Sequence, residues 1–291
     1  MASLKEVKSR IVSVSSTQQI TKAMKMVAAA KLRKSQDRIT QIRPYAQKLS
    51  SLLQNVSSAG GDGANWYNAV REEKKVLIVV VSADRGLCGS FNSNIFKATN
   101  NLIIEKYSPQ VAKGNLHVLP IGKKALEFFN KKNYPVVKQY ATIFQNLTFV
   151  AATNASEFLM NSYKKGDYDK IMIIYNEFRN VATQILRVEQ FLPVLPSTEK
   201  KGIEIEYIYQ PNREEIVVGL IPKSLNTQLF KALLDSNAAF NGAQMTAMDK
   251  ATENAGELLK ELKLTYNRTR QAAITKEILE IVAGAEALKS A

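Results

Sequence analysis

The 291-residue sequence predicts an α/β protein in which one helix from each end of the chain pairs with the other as an antiparallel coiled coil. Three observations support this fold class. Residues 1–57 keep a seven-residue apolar repeat, residues 212–291 keep helical apolar spacing, and residues 70–210 alternate between strand-like and helix-like runs. We therefore expect an amino-terminal coiled-coil helix at 1–57, an α/β domain at 70–210 and a carboxyl-terminal coiled-coil helix at 212–291.

The first helix is predicted from two heptad rows that begin at Leu4 and Val7 and continue to position 56. Apolar residues, counting alanine, fill twelve of their sixteen places, which is typical of a coiled-coil strand. The rows continue beyond Pro44. We therefore expect this proline to kink the helix and not to end it.

Three consecutive places in these rows are polar: Gln18, Thr21 and Lys25. Apolar side chains lie on the neighbouring face of the helix instead, at Ile20, Met24 and Val27. A lysine in a seam weakens a two-helix contact. We expect the apolar face to meet another partner, and the alternative is a local irregularity that a long coil tolerates.

The net charge of +14 is concentrated at the amino end, where eleven Lys and Arg residues among positions 1–57 stand against two acidic residues. Residues 212–291 hold ten residues of each sign. This asymmetry predicts a partner rich in carboxylates or phosphates, and the alternative is a solvated helix face.

The middle of the chain is predicted to alternate strands and helices. The expected strands are residues 76–82, 116–121, 170–175, 184–194 and 205–209, and the expected helices are residues 90–106, 123–130 and 148–164. Continuous apolar strands separated by helices indicate a mainly parallel sheet that is covered on both faces. We interpret this part as a Rossmann-like unit.

A turn with Gly86 and Gly89 follows the first strand, where doubly wound folds place a phosphate-binding loop. It lacks the three-glycine dinucleotide pattern and the Lys-Ser/Thr ending of a P-loop. We assign both glycines to turn geometry, with Ser90 as a helix cap. The sequence therefore predicts no bound cofactor.

Catalytic and metal sites are not expected either. The chain has one cysteine, Cys88, and one histidine, His117, which we place inside a strand. These residues offer neither a disulfide, a Cys/His zinc site nor a nucleophile–base pair. The sequence predicts that this chain is not an enzyme by itself.

The last helix is predicted from apolar residues at helical spacing, among them Leu225, Leu229, Leu258 and Leu262. It must run antiparallel to the first helix, because one enters the middle domain and the other leaves it. Being longer, it should project past its mate. We expect its end to need a hydrophobic sleeve from other chains, at Ile278, Ile281, Val282 and Leu288.

No membrane span or secretory signal is expected. The longest apolar run, Val76–Val81, is far shorter than the roughly 20 residues of a spanning helix. The first residues lead into a charged repeat and not into an apolar segment. The chain should remain in the compartment where it is made.

Three segments together resemble the gamma subunit, or central stalk, of F-type proton-translocating ATP synthases. They are QITKAMKMVAAAKLR at residues 19–33, DRGLCGSFN at residues 84–92 and QAAITKEILEIVAGA at residues 271–285. The likeness covers nearly the whole chain. Many family members have Arg where this chain has Gln244, and the two-cysteine insert of the chloroplast form is absent.

The resemblance implies a non-catalytic rotary subunit that couples proton flow to ATP synthesis or hydrolysis. Its implied partners are a ring of alpha and beta subunits, which hold ATP or ADP with Mg, the epsilon and delta subunits, and a membrane ring of c subunits. It also implies contacts with beta subunits at six residues: Met24, Lys25, Arg270, Gln271, Thr275 and Glu277.

The implied location is peripheral, on the cytoplasmic face of the bacterial plasma membrane, with a processed organelle form as the alternative. The competing function is a basic coiled-coil scaffold or a nucleic-acid-binding protein. Tyr45 is the one aromatic residue among positions 1–57, so this stretch offers little base stacking. Binding to a duplex backbone would not need aromatic residues, but the resemblance implies no nucleic-acid partner.

Overall fold

The computed structural model describes residues 3–58, 66–194 and 213–289. The elements in chain order are α1 (Leu4–Ser58), β1 (Val76–Val81), α2 (Phe91–Lys106), α3 (Ser108–Ala112), β2 (Leu116–Ile121), α4 (Lys123–Lys131), a 3-10 helix (Ile143–Asn146), α5 (Phe149–Lys165), β3 (Lys170–Phe178), β4 (Gln184–Leu192) and α6 (Arg213–Lys289). The chain divides into two compact units, residues 29–244 and residues 1–28 with 245–291. Each unit is described by itself.

The sheet of the first unit has four strands in the order β2-β1-β3-β4. β1 pairs in parallel with β2 and with β3, placing Val76 opposite Leu116 on one side and Lys170 on the other. β4 pairs antiparallel with β3. Because the connection of residues 179–183 is too short for a crossover, the chain can return only as a hairpin. The prediction of a mainly parallel sheet is confirmed.

The core is organised around β1, whose six residues are fully buried. Leu77, Val79 and Val81 share one apolar cluster with Leu159 of α5 and Leu229 of α6. Since strand side chains alternate between faces, Ile78 and Val80 point to the opposite face. α2 contacts β1 and β3. The predicted cover on both faces of the sheet is therefore present.

The heptad rows of α1 describe its burial correctly. Among residues 29–49, the buried apolar positions of α1 are Leu32, Ile39 and Leu49, all in the predicted rows. α1 continues through Pro44, so the expectation that this proline does not end the helix is confirmed. α6 likewise contains Pro222.

Pairing of α1 with α6 is antiparallel in both units. In the first unit, Ser35 accepts a hydrogen bond from Asn241, and Arg43 bonds Asp235. In the second unit, Gln18 bonds Thr252, and Lys25 pairs with Asp249. Within each unit the numbering rises along α1 as it falls along α6. The predicted antiparallel coiled coil is thus confirmed.

Some expectations need correction. α3 and the 3-10 helix were not expected, and β3 extends three residues beyond the predicted strand end, to Phe178. Leu258 is 44% exposed, whereas Leu259 is half-buried and takes the seam place. The strand expected at 205–209 lies outside the described residues, and the domain boundaries stay a prediction.

Among the described residues, no helix carries an apolar stretch long enough to cross a membrane.

Candidate functional site

The polar side chains in the predicted seam of α1 lie against α6 and contact polar groups there. Thr252 Oγ1 donates to Thr21 Oγ1 at 2.9 Å, and Gln18 Nε2 donates to the Thr252 carbonyl oxygen at 3.4 Å. Lys25 Nζ forms an ion pair with the Asp249 carboxylate. The polar seam is therefore satisfied within the chain, and Lys25 does not weaken the pairing as an isolated lysine would.

The ion pair of Lys25 is accessible to solvent. The two side chains are 37% and 43% exposed, so the pair contributes at most about 1 kcal/mol to stability. An outside carboxylate can reach Lys25 without unfolding the coil. This geometry is compatible with the predicted beta-subunit contact, which stays a prediction.

An apolar surface lies beside this polar seam on α1. Ile20 and Val27 are 59% and 55% exposed, and Met26, which sequence reasoning did not single out, is 61% exposed. Met24 is half-buried. Clustered exposed apolar side chains mark interaction surfaces. The expected apolar face of α1 is thus open to a partner.

The end of α6 has no mate within the described residues. Every side chain from Ile274 to Glu286, and also Leu288, is exposed. The four residues predicted for a hydrophobic sleeve are among them: Ile278 at 54%, Ile281 at 71%, Val282 at 49% and Leu288 at 82%. These four side chains are therefore uncovered among the described residues. Which partner covers them stays a prediction.

Sequence reasoning missed Leu279, which is 63% exposed beside these residues. It lies one place from Ile278 and so falls off the helical spacing that selected the others. Helical residues three and four apart share a face, and Leu279 lies three places before Val282. The spacing of three residues between Leu279 and Val282 could therefore have identified Leu279 from the sequence.

The predicted polar contacts lie on the same part of α6. Arg270, Gln271, Thr275 and Glu277 are all exposed. Thr275 Oγ1 donates to the Gln271 carbonyl oxygen at 2.9 Å, whereas Arg270 and Glu277 form no ion pair with a described residue. Their charges are free for a partner.

Two hydrogen bonds of the Asn92 side chain hold the turn after β1 in place. Asn92 Oδ1 accepts from the Ala83 amide at 3.0 Å, and Asn92 Nδ2 donates to the Arg85 carbonyl oxygen at 3.4 Å. Left-handed backbone lies at Gly89 (φ +59°) and at Leu87 (φ 59°). Gly86 has no positive φ, so that part of the turn-geometry assignment is not supported by the backbone.

The cap assigned to this turn also needs correction. Ser90 occupies the position before α2, but its side chain makes no capping hydrogen bond. Its hydroxyl oxygen instead accepts from Asn94 Nδ2 at 3.3 Å. The turn is therefore held by the hydrogen bonds of the Asn92 side chain and not by a serine cap.

Cys88 and His117 do not form a catalytic pair. Cys88 is 3% exposed, and burial raises the pKa of its thiol, which disfavours the nucleophilic thiolate. His117 lies opposite Leu77 near the start of β1, whereas Cys88 follows the end of that strand. The Nδ1 atom of His117 lies 2.8 Å from the Tyr168 hydroxyl, and burial lowers the pKa of the His117 imidazole. The described residues contain no group of acidic, His and Cys side chains that could hold a metal ion.

An ion pair between a half-buried arginine and a buried aspartate joins α1 to α6 in the unit of residues 29–244. Arg43 Nη2 lies 2.9 Å from Asp235 Oδ1 and 2.7 Å from the Phe178 carbonyl oxygen. The Asp235 side chain is fully buried, and burial raises the pKa of its carboxyl although Arg43 opposes this shift. Sequence reasoning missed this pair, because its members are 192 positions apart.

Comparisons with known proteins agree with this architecture. The family model described as ATP synthase matches residues 3–288. The ATP synthase gamma chain of Cytophaga hutchinsonii is 59% identical over 295 residues, covering 100% of both chains. That of Chlorobaculum parvum is 50% identical, covering 99% of this chain and 100% of the relative.

Solved structures show the same fold at low identity. The central stalk and c-ring structure of Tetrahymena thermophila mitochondrial ATP synthase matches with a TM-score of 0.56 at 24% identity, covering 80% of this chain and 99% of that chain. The rotor of Euglena gracilis mitochondrial ATP synthase matches with a TM-score of 0.65 at 19% identity, covering 93% and 98%.

Proposed function

The chain belongs to the ATP synthase gamma chain family, so it is a non-catalytic subunit of the central stalk, and we propose that it couples proton flow to nucleotide chemistry through the exposed surfaces of α1 and α6. The single observation that carries this proposal is the unpaired end of α6. From Ile274 onward its described side chains are exposed although many are apolar. Such a surface needs partner chains.

The proposed partners of this end are the alpha and beta subunits. Ile278, Ile281, Val282 and Leu288 would lie inside a hydrophobic sleeve formed by the ring of these subunits. Full burial of one such side chain contributes about 1.5–3 kcal/mol. Four of them supply enough binding free energy to hold the helix end in the ring while it turns.

The polar residues would transmit the rotor's position to the beta subunits. Arg270, Gln271, Thr275 and Glu277 are exposed on the same helix, so each can form or break contacts as the ring subunits pass. A rotor can bias the open and closed states of a catalytic subunit only through contacts that differ between those states. The uneven surface of α6 provides such differences.

Met24 and Lys25 would form a second contact with the beta subunits. α1 carries most of the net positive charge, and Lys25 is held to Asp249 by an exposed ion pair. An acidic segment of a beta subunit would compete with Asp249 for the ammonium group. This exchange would make the contact depend on rotor position and on ionic strength.

Family membership supports a proposal for the rest of the assembly. The proposed partners are also the epsilon and delta subunits and the membrane ring of c subunits, and ATP or ADP with Mg would be bound by the alpha and beta subunits. The proposed location is peripheral, on the cytoplasmic face of a bacterial membrane. The domain boundaries at 57, 70, 210 and 212 belong to this proposal. Family membership removes the alternative of a basic scaffold or nucleic-acid-binding protein.

Deletion of the residues after Gln271 tests the proposal. In the reconstituted complex, ATP-driven proton pumping should fall strongly, because the sleeve contacts are gone. The thermal unfolding of the truncated chain should change little, because the side chains of residues 274–286 and of Leu288 are exposed. Full pumping by the truncated complex would contradict the proposed coupling role.

A further inference from the structure

A basic cavity of about 630 Å³ lies in the unit of residues 29–244. It is bounded by α1, by the turn after β1, by the start of α5 and by α6. Cavities of roughly 300–1,000 Å³ are the usual size of small-molecule sites. The mechanism proposed above uses none of the residues that line it.

Four cationic side chains line this cavity: Lys31, Lys34, Arg38 and Arg85. The first three lie at successive helical spacings of three and four on α1, so they share one face of that helix. Arg85 comes from the turn after β1. None of the four forms an ion pair with a residue that the structure describes.

The only carboxylate in the described wall of the cavity is Asp84. Its Oδ1 accepts a hydrogen bond at 3.0 Å from the Lys123 amide at the start of α4. This carboxylate is therefore already engaged with a backbone amide at a helix amino terminus. The four cations keep a net positive field in the cavity.

Three further features of the wall favour a phosphorylated ligand such as a nucleotide. Ser236 is 2% exposed, and its hydroxyl has no hydrogen-bond partner among the described residues. Thr148, whose side chain caps the Ala151 amide, places the amino terminus of α5 at the cavity, and the positive end of a helix attracts anions. The rings of Phe144 and Phe240 are half-buried there, where a nucleobase can stack on an aromatic face.

We propose that this cavity binds an oligophosphate group, carried by a nucleotide or by inorganic polyphosphate, through Lys31, Lys34, Arg38 and Arg85. The compact arrangement of cations from two elements suits several phosphates on one molecule. An acidic protein segment would bring single carboxylates spaced along a backbone, so it would place less negative charge in this compact site.

Calorimetric titration of the purified full chain with ATP and with inorganic triphosphate tests this site. We expect both probes to bind, and to bind more weakly as ionic strength rises. Tighter binding of ATP would show that the rings contact the base and would assign the site to nucleotides. Equal binding would assign it to the phosphate chain alone. No binding of either probe would overturn the proposal.

Paired charge-removal variants locate the site. Lys34→Gln with Arg38→Gln should weaken triphosphate binding by at least about tenfold, because charge-assisted contacts are lost. The matched control, Arg33→Gln with Lys48→Gln, removes two exposed α1 charges outside the cavity and should change the affinity by less than about twofold. Equal weakening in both variants would show unspecific attraction and would overturn the proposal.

A glutamate-rich peptide is the competing probe. Tighter binding of this peptide than of ATP, lost in the Lys34→Gln and Arg38→Gln variant, would assign the cavity to an acidic protein partner and would contradict the proposal. All four substituted residues are exposed. Unchanged circular dichroism and melting temperature would confirm that each variant is folded.

Discussion

Arg43 on α1 reaches Asp235 on α6, with Nη2 2.9 Å from a carboxylate that is fully buried. The second carboxylate oxygen, Oδ2, has no hydrogen-bond partner among the described residues. The pair thus holds two distant segments of the chain together while one oxygen remains unmatched. The contribution of this ion pair to the free energy of unfolding can be measured by substituting one partner or both.

Removal of the arginine alone should be strongly destabilising. Arg43→Ala leaves a buried carboxylate without its cation, and we expect a loss of about 3–5 kcal/mol in the free energy of unfolding. Replacement of both partners, by Arg43→Met and Asp235→Leu, should lose less than the single change. Urea unfolding measures both values. A loss below about 1 kcal/mol for Arg43→Ala would contradict this account.

The raised pKa of Asp235 predicts a pH dependence of stability. The unfolded chain releases this proton at about pH 3.9, which is below the raised pKa of the folded chain. Between the two pKa values the folded state binds more protons, so this group's contribution to stability falls as pH rises. Relative to Asp235→Asn, which does not titrate, the wild-type chain should lose stability as pH rises from 3.9 through the folded pKa. Denaturant unfolding at a series of pH values would show an opposite trend if the sign is wrong.

Lys25 and Asp249 allow a partner contact to be separated from an intrachain contact. Lys25→Gln and Asp249→Asn both break the same exposed ion pair, so each should change stability by less than about 1 kcal/mol. Only Lys25→Gln also removes the proposed partner contact. It should reduce ATP-driven proton pumping of the complex, whereas Asp249→Asn should not. Equal effects on pumping would show that the ion pair matters only inside the chain.

The apolar end of α6 should act in assembly and not in folding. Ile278→Ser combined with Ile281→Ser should weaken coupling in the complex, because the proposed sleeve loses two apolar side chains. The melting temperature of the free chain should stay unchanged, since both residues are exposed. Leu264→Ser is a suitable control, because Leu264 is 60% exposed outside the unpaired end. Loss of coupling in the control as well would point to a general effect of apolar removal.

Gly122 is a position where only glycine fits. Its φ is +105°, and an added Cβ would lie 2.3 Å from the Ser82 carbonyl oxygen. Gly122→Ala must therefore move the backbone between β2 and α4 or the end of β1, and we expect it to destabilise the chain by at least about 2–3 kcal/mol. Gly114→Ala meets no atom within 4 Å, although its φ is also positive, at +69°. Comparison of the two by thermal unfolding separates the steric clash from backbone strain.

The seam of α1 could be predicted because burial on a paired helix repeats every three and four residues. Val7, Ala28, Leu32 and Ile39 are each below 5% exposed, and all lie in the predicted rows. The strand at 116–121 was located for a similar reason, since a short apolar run between breakers has few alternative structures. The unpaired end of α6 followed from helix length. These features depend on local pattern.

The register of α6 was harder to predict. Leu258 and Leu259 are adjacent leucines, and either one continues an apolar spacing. Burial selected Leu259, because the facing residues of α1 determine which side of α6 is covered. The contact of Thr252 with Thr21 could not be predicted either, since Thr252 is polar and its place opposite Thr21 depends on the same register.

By itself, the sequence determined the heptad seam, the buried strands, the family and the apolar end of α6, because each is written in residue spacing along one segment. Only the tertiary structure decided that β4 returns antiparallel, that Arg43 meets Asp235 and that four cations surround one cavity. Those relationships join segments far apart in the chain. Packing in three dimensions decides which residues of these segments meet, and residue spacing within one segment does not contain that information.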